Sequence, residues 1–186
     1  MITKILKIIG IVLVSFVALI GIVSLFLSPK SHIERSVVIN APDSIIFLQV
    51  NSLKNQNRWS PWVEKDTATQ VTYEGNETGI GAKMNWKSKK LGNGSQWIVE
   101  SIANKHLKSE MQFEGFGGAN SSDIYLESTE GGTKVTWTYD GDVTGSGFVL
   151  VPLGKIMNLM MDGMMGPDYE RGLSKLKTLT EGDVKK

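Results

Sequence analysis

Cysteine is absent from this sequence of 186 residues, and histidine occurs only twice, at His32 and His106. The lack of cysteine excludes disulfides, thiolate metal sites and a cysteine nucleophile. Two histidines leave little room for a histidine-rich metal site or for a Ser-His-Asp triad. We therefore expect no metal and no cofactor.

An excess of charge of one sign is also missing. The chain has 20 Lys and Arg residues against 19 Asp and Glu residues, which gives a formal net charge of +1. A dedicated binder of polyanions carries a clear basic excess, so we expect no nucleic-acid partner. The length fits one domain with a short appendage.

A long apolar run lies near the start of the chain. Residues 8–27 contain no charged side chain, and their only polar residues are Ser15 and Ser24. A helix of this length covers about 30 Å, the thickness of the hydrocarbon core of a bilayer. The run is therefore long enough to be a membrane-spanning helix, and the alternatives are a buried core helix and a cleaved signal peptide. Bulky Phe26 stands where a cleavage site needs a small residue, which favours an uncleaved single-pass membrane anchor.

The basic residues that flank this run are evenly divided. Lys4 and Lys7 precede it, whereas Lys30 and Arg35 follow it. The free amino group and the nearby Glu34 weakly favour a cytoplasmic N-terminus. We therefore expect the remainder of the chain on the extracytoplasmic side.

The anchor is followed by a short linker and then by a single folded unit. Pro29 ends the apolar helix, and about 150 residues follow, enough to bury one core. The sequence thus predicts a membrane anchor and linker at 1–30 and one domain at 31–186.

The domain begins with a strand and a helix and continues as a series of strands. Residues 32–40 are β-branched and alternate, which predicts a strand, and a helix capped by Asp43 or Ser44 follows through Ser52. Residues 54–58 are a short polar stretch. Glycine and asparagine turns then separate strands predicted at 70–74, 80–87, 95–103, 106–113, 123–128 and 133–140, which indicates an antiparallel meander.

The end of the chain changes to helical periodicity. Residues 149–165 are apolar and rich in methionine, and Gly166-Pro167-Asp168 is expected to interrupt them. An amphipathic helix follows, in which Tyr169, Gly172, Leu173, Leu176 and Thr180 share one face. The predicted fold class is therefore α+β, with a long helix at the C-terminus.

Four strings in this order resemble one superfamily. They are Glu34-Arg35-Ser36-Val37-Val38-Ile39-Asn40-Ala41-Pro42, Trp59-Ser60-Pro61-Trp62, Gly131-Gly132-Thr133-Lys134-Val135-Thr136-Trp137 and Gly166-Pro167-Asp168-Tyr169-Glu170-Arg171-Gly172-Leu173. Together they resemble the START-like (Bet v 1-like, SRPBCC) superfamily, in its polyketide cyclase/dehydrase and lipid-transport branch. The resemblance implies a helix-grip fold, in which a curved antiparallel sheet surrounds the long C-terminal helix and leaves a cavity between them.

Aromatic and methionine side chains are the candidates to line such a cavity. Methionine adapts its shape and suits pockets for varied apolar ligands. The alternative is that these side chains simply pack the core, and that the first two tryptophans pin a loop to the sheet. The candidates are Trp59, Trp62, Trp86, Trp97, Met111, Phe113, Trp137, Tyr139, Met157, Met160, Met161 and Met164.

Three functions remain open at this point. The first is a membrane-anchored domain that binds an apolar small molecule or lipid without covalent chemistry. The second is a cyclase, dehydratase or hydrolase acting on a hydrophobic substrate, which would need Tyr139 or a carboxylate inside the cavity. The candidate carboxylates are Glu64, Asp66, Asp140 and Asp142. The third is a non-catalytic interaction or stress-related domain, which a solid core and a large exposed apolar patch would favour.

Overall fold

A computed structural model describes residues 2–184 of the chain. Five helices and seven strands follow one another in it, and a 3₁₀ turn at Val143–Ser146 precedes the last helix. The helices are α1 (Ile2–Leu25), α2 (Asp43–Val50), α3 (Leu53–Trp59), α4 (Trp62–Lys65) and α5 (Leu150–Val184). The strands are β1 (Lys30–Ile39), β2 (Gln70–Gly75), β3 (Ala82–Lys87), β4 (Gly94–Ile102), β5 (His106–Phe113), β6 (Ala119–Thr129) and β7 (Gly132–Asp142).

The seven strands form one antiparallel sheet in the order β1-β7-β6-β5-β4-β3-β2. Consecutive strands from β2 to β7 pair with each other, and the first strand of the chain pairs with the last. The predicted α+β class, with a curved sheet against a long C-terminal helix and an apolar helix at the N-terminus, is confirmed.

Side chains alternate between two faces along each strand. We call the face on which α5 packs the inner face, and the opposite face the outer face. The core lies between the inner face and helices α2, α3 and α5, and its strand residues include Ile33, Ile98, Leu107, Ile124 and Val135, all buried.

The sequence pattern does not indicate helix α3, because this segment has little apolar content. Leu53 and Trp59 are its only buried residues, and they lie at its two ends, so no helical period is visible in the polar stretch between them. Ser52 caps the helix, since its hydroxyl accepts a hydrogen bond from the Asn55 amide at 3.4 Å. Side-chain capping of this kind satisfies an amide that a helix start leaves free.

The predicted break at Pro167 is wrong, because α5 continues through this residue. Proline removes one backbone hydrogen bond from a helix interior. Arg35 of β1 bridges the two sides of Pro167: it donates to Asp162 at 2.9 and 3.1 Å and to Glu170 at 2.8 Å. A Cβ on Gly166 would lie 2.1 Å from the guanidinium. The glycine therefore leaves room for the arginine, which links the parts of the helix on either side of the proline.

Helix α1 is almost entirely exposed, unlike a core helix. Over Thr3–Leu25 it is long and apolar enough to cross a membrane, by length and composition. Its last turn contacts the first half of α5, where the Lys155 ammonium donates to the Ser24 carbonyl at 3.0 Å.

Candidate ligand-binding site

Four aromatic side chains fill the space between the sheet and the middle of α5. Trp137 of β7 lies 5.2 Å from Trp59, 5.8 Å from Trp62 and 4.0 Å from Tyr169, measured between ring centroids. Trp59, Trp137 and Tyr169 are buried, and Trp62 packs against them. At this level of the fold, side chains therefore occupy the place where the family resemblance implies a cavity.

The Trp137 indole and the neighbouring Tyr139 hydroxyl have hydrogen-bond partners. The Trp137 indole donates to the Ser122 hydroxyl at 2.8 Å, and that hydroxyl donates to the Thr138 carbonyl at 2.8 Å. The Tyr139 hydroxyl donates to Asn120 at 2.7 Å. Burial raises the pKa of Tyr139 to about 12 and also raises the pKa of Tyr169. Both phenols are therefore neutral at pH 7, and the Tyr139 hydroxyl is a hydrogen-bond donor.

A second group of inner-face side chains lies on β3, β4 and β5. The strand register places Met84 beside Gln96 and Gln96 beside Met111, and two residues further along it places Trp86 and Phe113 on either side of Gly94. We call these five side chains (Met84, Trp86, Gln96, Met111 and Phe113) the inner-face patch. All five are half-buried.

The inner-face patch is not covered by α5, because α5 crosses the inner face near the opposite edge of the sheet. Helix α5 packs mainly along β1, the edge strand farthest from β2, and α3 is the helix that contacts β3. Within the patch, the Trp86 and Phe113 rings meet edge to face with centroids 5.7 Å apart. A Cβ on Gly94 would lie 2.3 Å from the Trp86 ring, so only glycine lets the indole lie flat across β4.

One polar group stands within the patch. The Gln96 side-chain amide donates to the side-chain oxygen of Gln56 at 3.4 Å, and the Gln56 side-chain amide donates to the backbone carbonyl of Val50 at 2.7 Å. This chain of hydrogen bonds fixes Gln96 toward α3. The patch thus combines four apolar side chains with one oriented amide, a composition typical of sites for apolar ligands with a polar end.

The remaining sequence candidates lie elsewhere. Trp97 follows Gln96 directly on β4 and pairs with Glu110, so it lies on the outer face. On α5, Met161 is partly buried against the core, whereas Met157, Met160 and Met164 are exposed. The structure therefore unites Trp59, Trp62 and Trp137 in one cluster with Tyr139 next to it, and Trp86, Met111 and Phe113 in the other.

Met84 and Gln96 were not among the candidates from the sequence. Met84 was recognisable, because it shares the alternating pattern of Ala82 and Trp86. Gln96 gave no signal, since a polar residue next to Trp97 is usually on the solvent side of a strand. Its position depends on α3, which the sequence did not reveal.

The carboxylates considered for acid–base chemistry each have a partner that is not a member of the inner-face patch. Asp140 bonds His32 on the outer face, and Asp142 accepts from the Thr144 amide and hydroxyl. Glu64 forms an ion pair with Lys175. Asp66 accepts from the Ser88 hydroxyl at 2.6 Å, and this bond lowers the pKa of Asp66.

Two other features bear on ligands. An open groove of about 850 Å³ at the β2–β5 end of the sheet is lined mostly by polar side chains, such as Gln70, Thr72, Asn85 and Gln112, and by Trp86 and Phe113.

Among residues 2–184, no group of three or more His, Asp or Glu side chains is arranged to hold a metal ion.

The family model for polyketide cyclase / dehydrase and lipid transport matches residues 30–181. The chain belongs to this family. Membership in the polyketide cyclase/dehydrase and lipid-transport family points to hydrophobic small molecules or lipids as ligands. A comparison with curated proteins finds no match.

Solved structures show the same fold at low identity. The Zhui aromatase/cyclase from a Streptomyces species has a TM-score of 0.60 and 12% identity, over 83% of this chain and 96% of its own. A protein from Chromobacterium violaceum has a TM-score of 0.59 and 14% identity, over 81% and 97%. Ara h 8.0201 has a TM-score of 0.53 and 13% identity, over 81% and 97%. At these identities the likeness concerns the fold alone.

Proposed function

We propose that residues 31–186 bind an apolar small molecule or a lipid on the inner-face patch. In this proposal, residues 1–30 are an anchor and linker, and residues 8–27 hold the domain at a membrane, on its extracytoplasmic side. The observation that carries the proposal is the half-burial of four large apolar side chains on the part of the inner face that α5 does not cover. The family supports it, since its ligands are hydrophobic.

The chemistry of the patch suits a ligand with one polar end. Met84 and Met111 have flexible thioether side chains that adapt to different shapes. Trp86 and Phe113 add large flat surfaces, and burial of such rings stabilises a complex by about 25 cal/mol per Å² of apolar area removed from water. Gln96 lies between the methionines and offers an amide for a hydroxyl or carbonyl group of the ligand.

Catalysis is not part of the proposal. General acid–base catalysis needs a titratable group within hydrogen-bonding reach of the substrate. Glu64, Asp66, Asp140 and Asp142 are each engaged with a partner outside the patch, and Tyr139 has a raised pKa of about 12 and an occupied hydroxyl.

Contact quenching of tryptophan by a brominated lipid tests the binding site. The full chain would be placed in nanodiscs of phosphatidylcholine, and a dibrominated monoacylglycerol would be added as the probe. We expect Trp86→Phe to remove most of the quenching, because Trp86 is the only tryptophan of the patch. Trp97→Phe is the matched control, since Trp97 lies on the outer face of the neighbouring strand. Quenching that survives Trp86→Phe, or that needs Trp97, would overturn the proposed site.

A further inference from the structure

The first half of α5 carries a row of exposed apolar side chains that the core does not use. Leu153, Met157, Met160 and Met164 recur at intervals of three and four residues, so they share one side of the helix. Met160 and Met164 are 61% and 59% exposed. Just before the helix, Phe148 and Val149 are 95% and 81% exposed. We call these six side chains the α5 stripe.

A different side of α5 faces the core. Met161, Met165, Tyr169, Leu173 and Leu176 form a second row, and it packs against the sheet and α2. The first half of α5 is therefore apolar on two sides. Folding of residues 31–184 explains only one of them, and the α5 stripe needs another apolar environment.

The position of α1 identifies that environment. The last turn of α1 lies against the first half of α5: Lys155 donates to the Ser24 carbonyl, and the Asn158 amide donates to the Pro29 carbonyl at 3.1 Å. Ser24 belongs to the apolar run at 8–27. The first half of α5 therefore lies at the depth at which α1 leaves the hydrocarbon core.

The charges of the segment fit this depth. Between residues 143 and 165 the only charged side chains are Lys155 and Asp162. The Lys155 ammonium donates a hydrogen bond to the Ser24 carbonyl at the C-terminal end of α1, and Asp162 is paired with Arg35. Neither charge belongs to the α5 stripe. A helix with an apolar side and a paired polar side lies in the plane of a membrane interface, with its apolar side about 5–10 Å into the boundary between headgroups and acyl chains.

We propose that the α5 stripe is a membrane-contact surface, which inserts into the same leaflet that α1 leaves. This inference rests on the proposed anchoring of residues 8–27. It adds a second point of contact, which fixes the orientation of the domain relative to the bilayer. A single helix and a linker would let the domain rotate, whereas two contacts hold the sheet at one angle to the membrane.

Single nitroxide labels test the surface, since the chain has no cysteine and each substitution creates a unique site. Met160→Cys and Met164→Cys would be labelled in the full chain in phosphatidylcholine vesicles. Ser174→Cys is the control, because Ser174 is exposed on the second half of the same helix. We expect labels at positions 160 and 164 to collide more with oxygen, which concentrates in lipid, than with a water-soluble nickel chelate. The label at position 174 should show the reverse.

A label at Val14→Cys separates this inference from the anchoring on which it rests. If position 14 is in lipid while positions 160 and 164 collide mainly with the nickel chelate, the anchor stands and the membrane-contact surface is wrong. If position 14 is also in water, the anchoring itself fails. A third outcome is that labels at position 160 show dipolar broadening that disappears on dilution with unlabelled protein. If the same labels do not collide preferentially with oxygen, the α5 stripe contacts a second copy of the chain, and the inference is overturned.

Discussion

His32 is a residue whose titration near neutral pH depends mainly on one partner, Asp140. Its ring lies 2.8 Å from the Asp140 carboxylate on the outer face, and Glu34 lies 3.8 Å away. The hydrogen bond to Asp140 raises the pKa of His32 above its usual 6.5. The interaction therefore stabilises the fold fully below pH 6.5, and this contribution is lost as the pH rises through the raised pKa.

We expect Asp140→Asn to return the pKa of His32 toward 6.5. The chemical shift of the His32 ring proton, followed by NMR against pH, measures this directly. Glu34→Gln is the control and should lower the pKa less, because Asp140 is the nearer partner. An unchanged His32 titration in Asp140→Asn would show that the hydrogen bond does not form.

Gly172 is a residue at which one methyl group decides the packing. A Cβ at this position would lie 2.7 Å from the Trp137 ring and 3.2 Å from Pro61. Gly172→Ala should therefore lower the free energy of unfolding by about 1–3 kcal/mol, the usual cost of overpacking. Urea unfolding of the full chain in mild detergent, followed by tryptophan fluorescence, measures the change.

Gly182→Ala is the matched substitution in the same helix, since nothing lies within 4 Å of a Cβ there. It should leave the free energy of unfolding unchanged or raise it by less than about 1 kcal/mol. Equal destabilisation by both substitutions would mean that helical geometry, and not the approach of α5 to Trp137, determines the effect.

The sequence predicts the face of the sheet on which some side chains lie, but not the face of others. Ala82, Met84 and Trp86 alternate with Lys83, Asn85 and Lys87, so their face follows from the pattern. Trp97, in contrast, lies in the run Gln96-Trp97-Ile98-Val99, in which three neighbouring residues are apolar. Such a run does not show which face is inner, and the irregularity between Ile98 and Glu100 shifts the alternation further.

Helix α4 is a single turn, and its position depends on contacts with α5. Asp168 of α5 is buried and pairs with Lys65 of α4 and with Arg171. A second ion pair joins Glu64 of α4 to Lys175 of α5. These contacts hold Trp62 against Trp137 and Tyr169.

We expect Asp168→Asn to loosen α4 selectively. The substitution removes the charge that both cations bind, and loss of such a hydrogen-bonded charge costs about 1–3 kcal/mol. Hydrogen exchange in residues 62–66 should accelerate, while exchange in β6 and β7 changes little. Glu64→Gln is the control: its partner pair is more exposed, and surface ion pairs contribute about 0–1 kcal/mol. Faster exchange across the whole sheet in Asp168→Asn would assign the carboxylate to the core instead.

The strands and α2 were predictable from the sequence pattern, but the length of α5 was not. Proline is normally a reason to end a helix. Here Arg35, more than 130 residues earlier in the chain, spans the proline by binding Asp162 and Glu170. A contact between residues so far apart leaves no trace in local periodicity. The same holds for the methionines of α5, since the pattern does not distinguish the row that meets the core from the α5 stripe.

By charge, the whole molecule divides into a basic N-terminal segment and a nearly neutral domain. Lys4 and Lys7 are the only charged residues among the first 27, so residues 28–186 carry 18 basic and 19 acidic side chains. Such a domain has no strong electrostatic attraction for a membrane or a polyanion. In the proposed anchoring, contact with lipid therefore depends on α1 and on apolar surface such as the α5 stripe.

The family and the fold were predictable for the whole molecule, whereas the site was not. Strings such as Trp59-Ser60-Pro61-Trp62 identified the family, and the family implied the fold. The position of the open surface depends on where α5 crosses the sheet. That position follows from contacts of α5 with β1, which no local pattern encodes.

Photolabelling of the full chain in membranes tests the central claim most directly. A diazirine-bearing monoacylglycerol would be irradiated with the protein in vesicles, and the adducts would be located by mass spectrometry of tryptic peptides. Trp86 and Trp97 fall in different tryptic peptides, because Lys87 and Lys90 lie between them. We predict adducts at Met84, Trp86, Met111 or Phe113 that an excess of unlabelled monoacylglycerol displaces, in addition to adducts on α1. Adducts confined to α1 and the α5 stripe, or found at Trp97, would contradict a ligand site on the inner face.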